Sequence, residues 1–334
     1  MERYYPLHVH YRRRHGRRVQ KIPLDAGFTC PNRDGTLSRE GCVFCNPAGS
    51  GSSMHARGLG LAEQWADWAA RARAKYGDPL LMAYLQSYSN THGPFERVRA
   101  VLEEIAALPD VHGLCIGTRP DCLDGGRLEL LAGLGLAGVQ LDLGLQSAND
   151  ATLARINRGH DAAAFAEAAR RASALGMEVC AHLVAGLPGE NGDDLLASVE
   201  FLNALPVTGV KFHNLYVAEH TALAESWRCG EYAPPALGDY VSWTCAALAR
   251  LRPDIVVHRL NGDPARDELL APDWAGNKHA VLGAIRARLE AHDLWQGKDA
   301  PEPARTIPGH FSLQPAPAAR NAATPAESEQ RTRS

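Results

Sequence analysis

The sequence has little net charge, no long apolar run and few cysteines for its length. Lys and Arg total 35 and Asp and Glu total 38, a formal net charge of −3 over 334 residues. A balance this close to neutral argues against binding nucleic acid through bulk charge and leaves only a local patch for it. The most apolar stretch, 128–146, is broken by Glu129, Asp142 and several glycines, so it makes a poor membrane-crossing helix. Residues 1–21 lack the apolar core of a secretory signal. A cytoplasmic protein with reduced thiols is therefore expected. Eight cysteines are too sparse to staple a small fold, and no Ser/His/Asp-type triad stands out.

Short apolar runs alternate with helical patterns from Lys21 onward. The expected strands are 22–28, 80–85, 113–116, 139–143, 178–184 and 209–215. Between them the helical segments are 61–76, 95–108, 126–134, 162–175 and 193–205. After the second strand the spacing is near thirty residues, the length of a βα unit. Six such units predict an α/β fold, a partial (β/α)6 barrel of the TIM type. Helices at 221–227, 237–251 and 277–292, with a short strand near 255–258, form a C-terminal extension. The expected division is a basic leader at 1–20, the barrel at 21–217, the extension at 218–296 and a tail at 297–334. The tail is too rich in Ala, Pro, Ser, Thr and charge to bury a core, so disorder is expected there. In the leader, Arg12, Arg13, Arg14, Arg17 and Arg18 read first as a solvated or helical exposed segment and second as a phosphate-contacting arm.

The cysteines fall into two groups. Cys115, Cys122, Cys180, Cys229 and Cys245 are scattered and read as small buried hydrophobes or idle thiols. Cys30, Cys42 and Cys45 lie together on the loop after the first strand. In a parallel barrel that is the face where chemistry occurs. Three thiolates suit a [4Fe–4S] cluster with one iron left open. A Cys3His zinc site using His55 stays open as well. A redox pair at Cys42/Cys45 leaves the third cysteine unexplained.

These residues, in the segment Cys-Pro-Asn-Arg-Asp-Gly and the spacing C-x11-C-x2-C, resemble radical S-adenosylmethionine enzymes, and within them the YhcC-type family. The resemblance covers roughly residues 18–295. Thr118-Arg119-Pro120-Asp121, Gly144-Leu145-Gln146-Ser147 and Asn157-Arg158-Gly159-His160 are similar to segments of Elongator-type relatives. The turn Gly186-Leu187-Pro188-Gly189-Glu190 is similar to the superfamily's adenine-edge turn. The resemblance implies cluster ligands at Cys30, Cys42 and Cys45. It implies S-adenosylmethionine contacts at Phe44, Gln86, Ser87, Gln146, Arg158 and His182. Gln86 and Ser87 stand where relatives carry a Gly-Gly-Glu-type segment, and His182 where some carry aspartate. A guanidinium at position 158 suits a carboxylate through two-point contact. The implied reaction is reductive cleavage of S-adenosylmethionine to a 5′-deoxyadenosyl radical that abstracts hydrogen, fed by a donor such as flavodoxin or ferredoxin. Two substrate classes stay open, RNA and a small molecule or peptide. A zinc-binding barrel with a structural or hydrolytic role is the alternative.

Overall fold

The computed structural model describes residues 2–46, 49, 55–265 and 267–301. Its helices are α1 (Leu7–His15), α2 (Leu61–Tyr76), α3 (Phe95–Ala106), α4 (Gly125–Ala132), α5 (Asp150–Arg155), α6 (Ala162–Ala174), α7 (Gly192–Asn203), α8 (Ala222–Arg228), α9 (Leu237–Arg250) and α10 (Lys278–Ala291). The strands are β1 (Val19–Leu24), β2 (Leu80–Leu85), β3 (Val111–Thr118), β4 (Val139–Gln146), β5 (Glu178–Ala185), β6 (Gly209–Asn214), β7 (Val217–Ala218), β8 (Val256–Arg259) and β9 (Leu269–Ala271). Seven strands pair in parallel in the order β1-β2-β3-β4-β5-β6-β8, and β7 and β9 form a small antiparallel pair. The sheet is a curled, open barrel wrapped by helices. No helix among the described residues is long and apolar enough to cross a membrane.

Strand alternation builds two environments. In β4, Leu141, Leu143 and Leu145 are fully buried in the main core against the helices. Gln140, Asp142, Gly144 and Gln146 point the other way, into the barrel lumen, because successive side chains face opposite sides of a sheet. The same parity sends Ile22, Leu81, Leu114, Val179 and Val210 outward into that core. It sends Lys21, Tyr84, Cys115, Cys180 and Lys211 inward.

Two features differ from the sequence expectation. The barrel has seven strands where six are expected, because β8 extends the sheet by pairing with β6. Residues 7–15, expected as a solvated or exposed helical segment, form a helix that docks on the barrel. Val9 and Tyr11 are buried, and Tyr11 packs on Met82 and Cys115 at the N-terminal ends of the strands. Arg14 pairs with Glu178 and Arg17 with Asp78, so the arginines ring the barrel floor. Just before α1, Pro6 bridges Val257 of β8, whose amide donates to the Tyr5 carbonyl at 2.8 Å. Past α10, the Gly297 and Asp299 amides bond the carbonyls of Leu248 and Ala249. The remainder of the expected tail, 302–334, lies outside the described residues.

The close fit of β3 yields a prediction. A Cβ on Gly113 would stand 2.7 Å from the Gly138 carbonyl oxygen, which already accepts the Leu114 amide at 3.0 Å. Backbone cannot yield there, so Gly113→Ala is expected to cost about 1–3 kcal/mol in urea unfolding.

Candidate active site

Because all seven barrel strands run parallel, their C-terminal ends share one edge. Loops from five of them converge there. The loop leaving β1 is pinned at its root by Gln64 of α2. Gln64 is buried, accepts the Asp25 amide at 2.8 Å and donates back to the Asp25 carbonyl at 2.9 Å. The Cys30 carbonyl then accepts the amides of Arg33 and Asp34, closing a tight turn. Arg33 reaches across to the carbonyls of Cys45 and Asn46, at 2.6 and 2.7 Å. That clamp folds the far half of the loop back over the near half. All three cysteines are free thiols, Cys42 buried and the others half-buried. Burial pushes the Cys45 thiol up, neighbouring Cys42 adds to this, and Arg33 opposes it.

The segment 157–159 locks onto this loop. Asn32 donates to the carbonyls of Asn157 and Arg158, at 2.5 and 3.2 Å, and to Cys42 Sγ at 3.7 Å. Asn157, at φ 53°, donates to the Gly41 carbonyl at 2.7 Å. Arg158 is buried and donates from Nη1 to Cys42 Sγ at 3.7 Å and from Nη2 to the Gly144 carbonyl at 2.7 Å. Gly159 has φ 76°, and a Cβ there would lie 2.8 Å from Asn32 Oδ1, so only glycine suits the position. From the end of β3, Arg119 is 2% exposed and forms a two-point pair with Asp121, at 2.9 and 2.7 Å. Burial opposes its charge, while Asp121 and the thiols of Cys30 and Cys42 hold it. Three guanidiniums therefore surround three thiols.

The expected cofactor contacts occupy this same edge or the lumen just below it. Phe44 packs in an apolar cluster with Ile156, Val184, Leu187 and Leu215, against the 186–190 turn. The Tyr232 hydroxyl fixes that turn by donating to the Gly186 carbonyl at 2.8 Å. Ser87 is buried and its Oγ has no hydrogen-bond partner. The backbone of Gln86 crosses Gly117 closely enough that a Cβ there would meet its carbonyl at 3.3 Å. Gln146, at φ 77°, folds back over Gly144 beside Arg158. His182 lies deeper, its ring centroid 5.4 Å from that of His213 and its Nε2 3.7 Å from the Asp142 carboxylate.

Sequence reasoning misses Asn32, Arg33 and Arg119 as parts of this assembly, although each stands inside a motif that it picks out. It also misses the lumen charges. Asp142 accepts from Gln140 Nε2 at 2.6 Å and pairs closely with Lys211, whose ammonium also donates to the Tyr84 hydroxyl at 3.1 Å. Burial opposes the Asp142 charge, yet Lys211 and Lys21 hold its carboxyl well below the usual range. Burial lowers the imidazoles of His182, to about 4, and of His213 and His258.

Buried polar atoms without partners gather at the strand-end edge: Asn32 Oδ1, Ser87 Oγ, Arg119 Nη1, Arg158 Nε and Asn214 Nδ2. Each costs about 1–3 kcal/mol if left unmade. Such a set suits a polar ligand with both charged ends and hydrogen-bonding groups.

The comparisons with known proteins agree with this geometry. Residues 30–202 match the Radical SAM superfamily and residues 207–291 the Radical SAM C-terminal domain. The chain belongs to the radical SAM superfamily, and it is a radical SAM enzyme whose class uses a [4Fe–4S] cluster, S-adenosylmethionine and an external reductant. It is 38% identical to YtqA of Bacillus subtilis over 298 residues, 89% of this chain and 92% of that one. It is 36% identical to YhcC of Escherichia coli K12 over 285 residues, 84% and 91% of the two chains. A tRNA uridine(34) acetyltransferase of Dehalococcoides mccartyi is 29% identical over 182 residues, 54% of this chain and 38% of that one. The archaeal Elp3 of Methanocaldococcus infernus, lacking its N-terminus, has the same fold, with a TM-score of 0.64 at 18% identity over 73% of this chain and 62% of that one.

The donor set fits a cluster better than a single ion. A tetrahedral zinc, with bonds of about 2.3 Å, holds its ligand atoms about 3.8 Å apart. Cys30, Cys42, Cys45 and His55 supply no three ligand atoms within 4.8 Å of one another. His55 instead is exposed, its ring set against Gly27. A cluster spreads its thiolates over separate irons, and three guanidiniums suit the resulting negative charge.

Proposed function

We propose that Cys30, Cys42 and Cys45 hold the [4Fe–4S] cluster, with one iron left to S-adenosylmethionine, and that the enzyme modifies RNA. The observation that carries the first part is three free thiols on one loop inside a ring of Arg33, Arg119 and Arg158. When bound, the cofactor pair supplies a one-electron cleavage that generates a hydrogen-abstracting radical. The chain's own part is to bind, orient and exclude water. Arg158 and Arg119 offer unused donors, at Nε and Nη1, to the methionine carboxylate. Ser87 and Gln86 offer oxygens to its amino group. Gln146 is placed beside Arg158 on the same group, Phe44 and the 186–190 turn flank the adenine, and His182 faces the ribose side. RNA as substrate draws on the likeness to the tRNA uridine(34) acetyltransferase, and the shared segment carries no acetyl-transfer claim. Flavodoxin or ferredoxin as donor, and the cytoplasm as location, complete the proposal.

Anaerobic reconstitution with iron and sulfide tests it. A brown protein with about four irons per chain is expected, releasing 5′-deoxyadenosine on addition of dithionite and S-adenosylmethionine. A colourless protein retaining one zinc overturns the reading. Modified nucleosides lost from a deletion strain test the RNA assignment.

A further inference from the structure

A cavity of about 710 Å3 opens along the side of the barrel, between its two unpaired edges. Its walls are residues 19–21 of β1, 257–259 of β8 and the two residues after it, and its floor is the start of α1. That volume falls within the range of small-ligand sites.

Its lining charge is of one sign. Arg12, Arg18, Lys21, Arg259 and Lys278 line it, and no described Asp or Glu does. Arg18 stacks on the Tyr76 ring at 3.8 Å, and Lys278 faces Asp263 at 3.7 Å from outside the lining. Arg12 and Arg259 have no carboxylate within salt-bridge distance among the described residues. A guanidinium presents a planar fork of donors matched to carboxylate or phosphate.

The lumen behind the cavity has the same excess. Asp142 pairs with Lys211, Lys21 adds a second positive charge to its field, and Lys21 also lines the cavity. The surrounding imidazoles of His182, His213 and His258 stay neutral near pH 7, since burial lowers them all. The barrel interior thus carries one positive charge more than it neutralises, and that charge faces the opening.

We infer that this seam receives a phosphate group of the substrate, held by Arg12 and Arg259 at its mouth with Lys21 behind them. The inference deepens the proposed activity on RNA and depends on it only for the source of the phosphate. A phosphodiester of RNA and the monophosphate of a free nucleotide have the same recognition chemistry, and the test separates them.

Binding is measured by fluorescence anisotropy on the reconstituted enzyme, with a labelled single-stranded RNA oligomer as probe and uridine 5′-monophosphate as competitor. Arg12→Ala and Arg259→Ala are each expected to weaken RNA binding about tenfold and to flatten its salt dependence by about one phosphate contact. Arg170→Ala, which removes an exposed arginine of α6 away from the seam, sets the baseline. Arg12 is exposed, so its variant reads the effect even where the strand variant fails to fold. Competition by the nucleotide assigns a free phosphate as sufficient, and RNA binding without competition assigns the phosphodiester. Equal RNA affinity in the Arg12, Arg259 and Arg170 variants, or no binding of either probe, overturns the inference. Iron content and 5′-deoxyadenosine release, measured on the same samples without substrate, report separately on the cofactor assignment.

Discussion

Cys42→Ala is expected to lose the broad visible absorbance of the reconstituted protein and to release no 5′-deoxyadenosine above background. Of the three thiols it is the buried one, and it alone accepts from both Asn32 and Arg158. Cys30→Ala and Cys45→Ala should behave in the same way. The neighbours are separable from the ligands. Asn32→Ala removes one donor to Cys42 and unlatches the 157–159 segment. A loss of about 10–100-fold in cluster retention follows, the scale found when the partners of metal ligands are removed. Cys115→Ala and Cys245→Ala should keep full iron content, since Cys115 packs under Tyr11 and Cys245 sits in the main core, donating to the Ile285 carbonyl at 3.6 Å. Loss of the cluster in Cys245→Ala would mean that the ligands are misassigned. Iron and sulfide analysis beside the absorbance decides between these outcomes.

Asp142→Asn is expected to be among the most destabilising single changes in the barrel. Its carboxylate is 1% exposed and faces Lys211 and Lys21. Removing the negative partner of a buried pair costs about 3–5 kcal/mol, because the remaining charge is left uncompensated. Adding Lys211→Met to Asp142→Asn should recover part of that loss, since the uncompensated Lys211 charge is removed while that of Lys21 remains. Urea unfolding of the two single variants and the double variant measures the coupling.

The same groups set the acid limb of stability. The folded Asp142 pKa is depressed, so its contribution is present above the unfolded value and is lost as pH falls toward the folded one. His182 stays neutral down to about 4, whereas an unfolded imidazole takes its proton near 6.5. The unfolded chain therefore binds more protons through this window, and stability falls as pH is lowered from about 6.5 to 4.

The βα succession was legible because every barrel strand turns one apolar face to the helices, and α2 and β2 lie where their patterns place them, at Leu61–Tyr76 and Leu80–Leu85. The polar face was less visible. Val-Gln-Leu-Asp-Leu-Gly-Leu-Gln at 139–146 alternates strictly, yet an apolar count registers mainly its leucines. The α1 pattern is diluted by arginines, with Val9 and Tyr11 as its buried anchors. The β8 run was readable as a strand, but its place beside β6 depends on a connection through α8 and α9 that local patterning does not encode. At the candidate site the cysteines and the Asn-Arg-Gly segment carried enough signal to be singled out separately. What sequence could not give was their contact, since Asn32 and Arg158 are 126 residues apart along the chain.

The way residues 3–5 meet residues 294–296 has a consequence for synthesis. The Gln296 amide bonds the Arg3 carbonyl and its side chain accepts the Tyr5 amide, each at 2.8 Å, while Arg3 pairs with Asp293. On the ribosome the first partner of this clasp emerges long before the second. The floor helix must wait, unlatched, until almost the whole barrel has been made, and β6 keeps a free edge until β8 pairs with it. Such distant pairings are slow to close, and unpaired strand edges invite aggregation meanwhile. A nascent chain stopped before β8 would therefore display an open floor and a sticky edge, which makes this clasp the barrel's own proof that translation has run past its last strand.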